Sequence, residues 1–370
     1  MSEPIKQTIE KITSVFQDSN ETAVVFILTF VTTIVIVGIG IYIYYMINLQ
    51  NNQCSLLEKM NPSKNTVIKS VLPNEYRLRD YHIKSAYNCC SLGTYKNNYV
   101  GICGLKNVLI QGVRGLDFEI FSIDNKPVIA TSLSENYHSK DTLNYVLFEE
   151  ALDYICKNAF NNLMVNNSND PILIHLRFKS NNIQMYDKLA LILSRYQSYF
   201  VDRQYNNMNL GSVPLKYLMG KICILVNDSN KTYRDCEELL EFINLKSGSG
   251  QMRIHTFSDL KNGDINQRTE LVNYNKKYMT ICLPDKEDNL DNPDITYFRD
   301  TGCNMFCLKY QKLDKNMVFN NEFFKDCAFV LKKSILRDSN VGTKDVVINV
   351  IPTMNVKNVI PVIKKKANKN

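Results

Sequence analysis

Residues 23–47, AVVFILTFVTTIVIVGIGIYIYYMI, carry no charge. A helix rises about 1.5 Å per residue, so this run exceeds the roughly 30 Å hydrocarbon core of a bilayer and can span it with some tilt. Tyr42, Tyr44 and Tyr45 near its far end suit the aromatic belt at a membrane–water interface. A cleaved signal peptide would be shorter and followed by small residues at a cleavage site, which this sequence does not offer. The run predicts a single transmembrane helix over 23–47, after a short polar segment, 1–22. Lys6 and Lys11 precede it and the next basic residue is Lys59, so the positive-inside rule leans toward an inside N-terminus with the remaining chain on the lumenal or exterior side. Asn166, Asn227 and Asn230 open N-x-Ser/Thr sequons, which permit that side.

The rest of the 370 residues is enough for one large domain or two small ones, and 45% hydrophobic against 22% charged residues implies a proper core. Residues 48–74 read as a polar connector with some helical character. Beyond it, apolar runs alternate with amphipathic ones. NVLIQG, PVIATS, DPILIHLRF, KICILVN, YMTICLP, CNMFCLKYQ and CAFVLKK read as strands or strand ends. TLNYVLFEEALDYICKNAF and NIQMYDKLALILSRYQSYF repeat their apolar residues at helical spacing. NKTYRDCEELLEFINLKSGSGQM is polar, ends in a Gly/Ser break, and reads as a connector. Such alternation predicts a parallel sheet, and its length favours an α/β fold of the (β/α)8 type, a TIM-like barrel over 75–340 with halves 75–228 and 251–340. In such barrels, chemistry sits at the carboxyl ends of the strands.

Net charge is +7, and part of the excess lies in a basic tail, 341–370, ending in Lys364, Lys365, Lys366 and Lys369. That tail reads as a solvated terminus or as a weak attractor of anionic lipid. No finger spacing, phosphate loop or basic-aromatic stripe points to nucleic acid. The 11 cysteines are scattered and odd in number, unlike a disulfide scaffold. Cys303 and Cys307 could share a strand face, but no second pair completes a zinc set, so buried apolar roles are expected.

The order of motifs resembles the eukaryotic-type phosphoinositide-specific phospholipase C, over roughly residues 75–340. YHIKSAYNCC is similar to that family's first strand, GLKNVLIQGVRGLDFEIF to the strand that bears metal-binding carboxylates, NKPVIATS to the third, DPILIHLRF to the fourth, and PLKYLMGKICILVN to the fifth. VNYNKKYMTICLP, GCNMFCLKYQ and MVFNNEFFKDCAFVLKKSILRD follow in the family's order. The resemblance implies a distorted barrel that hydrolyses phosphatidylinositol phosphates with one Ca²⁺ and two histidines.

The residues that carry this chemistry are altered. The histidine positions hold Tyr87 and Thr131. A phenol with a pKa near 10 cannot act as an imidazolium at neutral pH. Of the four implied metal ligands, Asn88 matches. The Glu-x-Asp pair appears in swapped order as Asp117 and Glu119, and the fourth position is Arg177, a cation where Ca²⁺ would sit. A salt bridge from Arg177 to Asp117 or Glu119 is therefore expected in place of the metal. Positions implied to contact ring phosphates hold Leu225, Asn227, Ile281 and Leu283, with Thr256 able to keep one hydrogen bond. Gly112, Arg114, Pro127, Gly220, Pro284, Gly302 and Leu331, which build turns and core, are kept.

The expected function is a structural or interaction role for a catalytically inactive, membrane-anchored barrel with no cofactor, its partners being the membrane and proteins there. Richness in Asn, Lys, Ile and Tyr suits an AT-rich genome, such as that of a large DNA virus or a protist, and a virion membrane is one expected setting. The alternative is a divergent phosphodiesterase, with Ca²⁺ held by Asn88, Asp117 and Glu119. His138 or His175 would then move protons, although His175 reads first as a hydrogen-bonded core residue.

Overall fold

A computed structural model describes residues 3–60, 68–72, 74–134, 139–206 and 208–338. His138, the basic tail and part of the connector lie outside them.

The first element, α1, is one uninterrupted helix, Glu3–Met60. Protein buries none of its most apolar window, and side chains such as Phe26 and Tyr44 stand free around it. It is one helix long and apolar enough to cross a membrane. Its threonines satisfy their hydroxyls within the helix: Thr29 donates to the Val25 carbonyl at 2.8 Å, and Thr33 to that of Thr29 at 2.7 Å. Lipid would offer no other partner. The segment read as a connector from residue 48 is helical as far as Met60. There it meets protein: Leu57 is buried, and Cys54 is disulfide-bonded to Cys103.

The strands are β1 Tyr81–Ala86, β2 Gly115–Ile123, β3 Lys126–Ala130, β4 Val146–Leu147, β5 Ile172–Phe178, β6 Ile222–Asn227, β7 Ile243–Lys246, β8 Met252–Thr256, β9 Met279–Leu283, β10 Met305–Leu308 and β11 Phe329–Leu331. Helices α2 Ile102–Ile110, α3 Phe148–Asn158 and α4 Ile183–Arg195 lie between the early strands, α5 Glu237–Leu240 precedes β7, and α6 Phe257–Lys261 and α7 Ile265–Asn275 follow β8. Eight parallel staves run in the order β7-β6-β5-β2-β1-β10-β9-β8, a largely closed barrel. β7 and β8 end that path, and a short turn containing Gly248 and Gly250, both at positive φ, connects them.

Alternation along each stave separates two cores. Leu116, Phe118 and Ile120 of β2 and Ile174, Leu176 and Phe178 of β5 point outward under the helices. Leu173, Leu225, Ile281 and Met305 fill the interior. Gly115 permits the tightest approach: a Cβ there would lie 2.2 Å from Ser85 Oγ.

Five expectations need correcting. NVLIQG lies in α2 and the turn after it rather than in a strand, and CAFVLKK supplies β11, which pairs antiparallel with β1 and is not a stave. NKPVIATS forms β3, which pairs antiparallel with β2 in a hairpin and is not a stave. The polar stretch after β6 contains a stave, β7, whose Ile243, Asn244 and Leu245 are buried. Cys303 joins the outer core and Cys307 the inner one, so they do not share a face.

Candidate functional site at the barrel mouth

The carboxyl ends of the staves form one end of the barrel, its mouth, and register brings the motif residues together there. Asp117 stands beside His175, Glu119 beside Arg177, and Arg177 beside Asn227. Each alternates inward because its neighbours, Phe118 and Leu176, are claimed by the outer core. Asn88 follows β1 with φ 44°, a left-handed conformation that asparagine tolerates.

Arg177 is the hub. Its Nε donates to Asp117 Oδ1 at 3.0 Å and its Nη2 to Asp117 Oδ2 at 2.7 Å, a two-pronged pair. Nη1 donates to Glu119 Oε1 at 2.6 Å, and Nη2 also reaches Asn88 Oδ1 at 2.8 Å. The guanidinium carbon lies 4.5 Å from the centre of the Tyr87 ring, at cation–π range. Burial opposes the Arg177 charge, yet Asp117 and its other neighbours raise its pKa well above the ordinary value. Burial likewise pushes the Asp117 carboxyl up, but Arg177 and the hydrogen bond from His175 outweigh it and hold it at about 2.

The remaining acceptor positions are also taken. His175 Nδ1 donates to Asp117 Oδ1 at 2.7 Å, and its Nε2 is buried without a partner among the described residues. The backbone N–H of Asn88 donates to Asp117 Oδ2 at 3.1 Å and that of Ser132 to Glu119 Oε2 at 2.9 Å. Six donor groups from four residues leave the three ligand side chains no fit for Ca²⁺, which needs their oxygens facing one empty point. Among the described residues, no group of three or more His, Cys, Asp or Glu is arranged to hold a metal.

Tyr87 and Thr131 meet over one residue that carries no motif, Tyr95. Tyr87 packs edge-on against the Tyr95 ring at 5.4 Å, and Thr131 Oγ1 donates to the Tyr95 carbonyl at 2.8 Å. Tyr95 is buried, and its N–H donates to Asp288 in the loop after β9 at 2.9 Å. It lies in a loop without periodicity, so nothing in the sequence marks it. Leu225, Ile281 and Leu283 line the interior as apolar side chains. Asn227 turns its Oδ1 to the Ser229 N–H at 3.0 Å. Thr256 caps α6, accepting from the Asp259 N–H at 3.2 Å. His82 faces outward, its Nδ1 on the Cys303 carbonyl at 2.8 Å, and burial lowers its pKa to about 3. A hollow of about 390 Å³, lined in part by Phe200, Lys221 and Phe242, opens near the starts of β6 and β7, at the other end.

The crystal structure of L. pealei PLC21 superposes with a TM-score of 0.60 at 18% identity, and that of S. officinalis PLC21 with 0.60 at 17%. The fold is that of a phospholipase C barrel. Each match covers 72% of this chain but 38% of the other, so the phospholipase-C-like barrel corresponds to well under half of those proteins. A calcium-dependent phosphoinositol-specific phospholipase C from a Pseudomonas species also matches, at 11% identity and a TM-score of 0.42. No sequence-family model matches the chain, and no curated protein does.

Proposed function

We propose that this chain is a membrane-anchored barrel of the eukaryotic phospholipase C type that has given up phosphodiester cleavage and serves a structural or interaction role at a membrane. The observation that carries this reading is Arg177, whose guanidinium lies among Asn88, Asp117 and Glu119. A fixed cation there neutralises the carboxylates without offering the open coordination that would activate a hydroxyl. Tyr87 and Thr131 supply no proton carrier at neutral pH, and His175, one of the two histidines an enzyme reading could use, is fully buried. Leu225, Ile281 and Leu283 give phosphate no cationic partner.

The same reading favours the lumenal or exterior side for the barrel. Lys6 and Lys11 favour an inside N-terminus, and the Cys54–Cys103 disulfide suits an oxidising compartment. Asn166 is exposed, whereas Asn230 is buried with its amide on the Ser180 carbonyl. Expression in a secretory system should therefore add glycan that is lost on Asn166→Gln. The Asn- and Lys-rich composition makes the virion membrane of a large DNA virus a fitting setting.

The deciding experiment incubates the full chain in vesicles containing phosphatidylinositol 4,5-bisphosphate, with Ca²⁺ or with chelator, beside an active phospholipase C. Inositol phosphate release should stay at background. Calcium-dependent release that disappears on Asp117→Ala would overturn the reading.

A further inference from the structure

The end of the barrel opposite the mouth, its foot, is where the chain leaves the sheet. β11 runs antiparallel to β1 and brings Leu331 beside Tyr81, at the start of β1. The turn Ser334–Leu336 then buries Leu336 but leaves Ile335 72% exposed, and the Arg337 guanidinium carbon stands 4.9 Å from the centre of the Tyr76 ring. Tyr76 is tied to the next stretch of the foot, its carbonyl accepting from the Leu215 N–H at 2.8 Å. That stretch carries Tyr217, 54% exposed, and ends at Lys221, the residue before β6. Lys221 lines the hollow of about 390 Å³. Exposed Ile335 and Tyr217 thus mark a path from the exit of the chain to the hollow.

The hollow is apolar within and acidic beside. Phe200 and Phe242 meet edge to face at 5.6 Å in its lining. Lys221 is turned aside, its Nζ donating to the Ser198 carbonyl at 2.8 Å. Next to it, α5 exposes Glu237 and Glu238, followed by exposed Glu241. Glu241 pairs with Arg203 at 2.9 Å, while Glu237 and Glu238 have no ion pair among the described residues.

The sequence beyond Asp338 matches both features. VVINVIPTMNVKNVIPVI, residues 346–363, holds ten valines and isoleucines and one charge, Lys357, and it repeats Asn-Val-Ile-Pro at 349–352 and 358–361. This composition is the opposite of the charged, weakly apolar sequence that remains in water. Proline favours an extended residue before it, so each repeat can present Val and Ile along an extended backbone. Lys364, Lys365, Lys366 and Lys369 follow directly. Residues 339–345 span up to about 23 Å when extended, which carries the chain from Tyr76 past Tyr217.

We propose that segment 346–363 docks on the foot of its own barrel, the first repeat along Ile335 and Tyr217 and the second in the hollow over Phe200 and Phe242, with Lys364, Lys365 and Lys366 set against the acids of α5. The basic tail is then a strap on the barrel rather than an attractor of lipid. The mouth takes no part in it, so the inference stands apart from the reading of Arg177.

The test uses the full chain in vesicles of phosphatidylcholine and phosphatidylserine, with p-benzoylphenylalanine in place of Ile360. Illumination should join residue 360 to peptides of the same chain covering 197–203 or 237–244. Glu237→Lys with Glu238→Lys should cut that yield several-fold; a yield that does not fall overturns the charged contact. Without the photoprobe, Val359→Asp with Ile360→Asp should speed amide exchange several-fold at 200–203 and 241–245 while α3 keeps its rates. Joined peptides of mixed isotope, from labelled and unlabelled chains reconstituted together, would place the segment on a second copy and overturn docking on its own barrel. Crosslinks to lipid alone, or none together with unchanged exchange, would overturn the strap altogether.

Discussion

Two of the buried arginines, one at each end of the barrel, are held in opposite ways. Arg114, at the foot, donates to the carbonyls of Ala159 and Asn167 at 3.0 and 2.6 Å and to Asn167 Oδ1 at 2.7 Å. Its nearest carboxylate, Asp170, acts only through space, and burial lowers the arginine's pKa to about 10. Arg177, at the mouth, is met by two carboxylates and an amide oxygen and is held above its ordinary pKa. Neutral carbonyls around Arg114 need only a donor of the right shape to close the loop before β5. The acidic oxygens around Arg177 need a positive charge, and a metal ion could supply it as well as a guanidinium. The first arginine belongs to the scaffold; on the proposed reading of this barrel, the second stands in for a ligand.

The largest test of that contrast is Arg177→Glu. Three carboxylates would then share one dry site, and removing the buried cation alone costs about 3–5 kcal/mol. In chelator the variant should be close to unfolded in urea titrations. Ca²⁺ should restore it, since a ligand at about 100 times its Kd returns roughly 2.7 kcal/mol. Arg177→Gln, with one fewer negative charge, gives a milder form of the same response if the glutamate variant does not fold. Stability indifferent to Ca²⁺ in both would break the idea that Arg177 replaces a metal.

Arg114→Ala should follow in size but differ in kind. It strands three buried acceptors, each worth about 1–3 kcal/mol, and Ca²⁺ should do nothing for it. A calcium response there would erase the distinction between the two ends.

The acids that face the two arginines sharpen the comparison by pH. Asp117, with a folded pKa of about 2 against 3.8, contributes stability that is present above the ordinary value and is lost as pH falls toward 2. By linkage this is about 2 kcal/mol. Asp170 runs the other way. Burial raises it to about 6, so its contribution is full below 3.8 and is lost as pH rises through 6. Urea midpoints should show Asp170→Asn flattening the decline between those values while leaving the acid limb in place. If Asp117→Asn flattens that same decline, the two ends are not electrically distinct.

Most of this contrast can be read in the sequence. A cation at position 177, two residues beyond His175 and in register with an Asp-x-Glu strand, has few partners other than those acids, and alternating staves put all of them inside. The apolar staves β5, β6, β9 and β10 were equally plain. The stave β7 was hidden because it is four residues long and lies in polar sequence, where no period is visible. The helical run to Met60 was masked by its polarity, although no Gly or Pro occurs between Gly40 and Pro62 to stop it. The partner of Cys54 could not be chosen among ten other cysteines by spacing, since α1 and α2 meet only in three dimensions. Tyr95 left no trace because a plug is defined by what surrounds it.

Tyr95 also supplies the smallest test. Thr131 stands where the resemblance implies a histidine, and its hydroxyl holds the Tyr95 carbonyl across the mouth. Thr131→Val keeps the shape and removes that one bond, so the cost should be about 1–2 kcal/mol from a buried carbonyl left without a donor. The change should not alter the calcium response of Arg177→Glu, because Thr131 touches neither carboxylate. If Thr131→Val instead weakens that response, the plug and the guanidinium act as one device. The mouth would then have been closed by the two substitutions together rather than by Arg177 first.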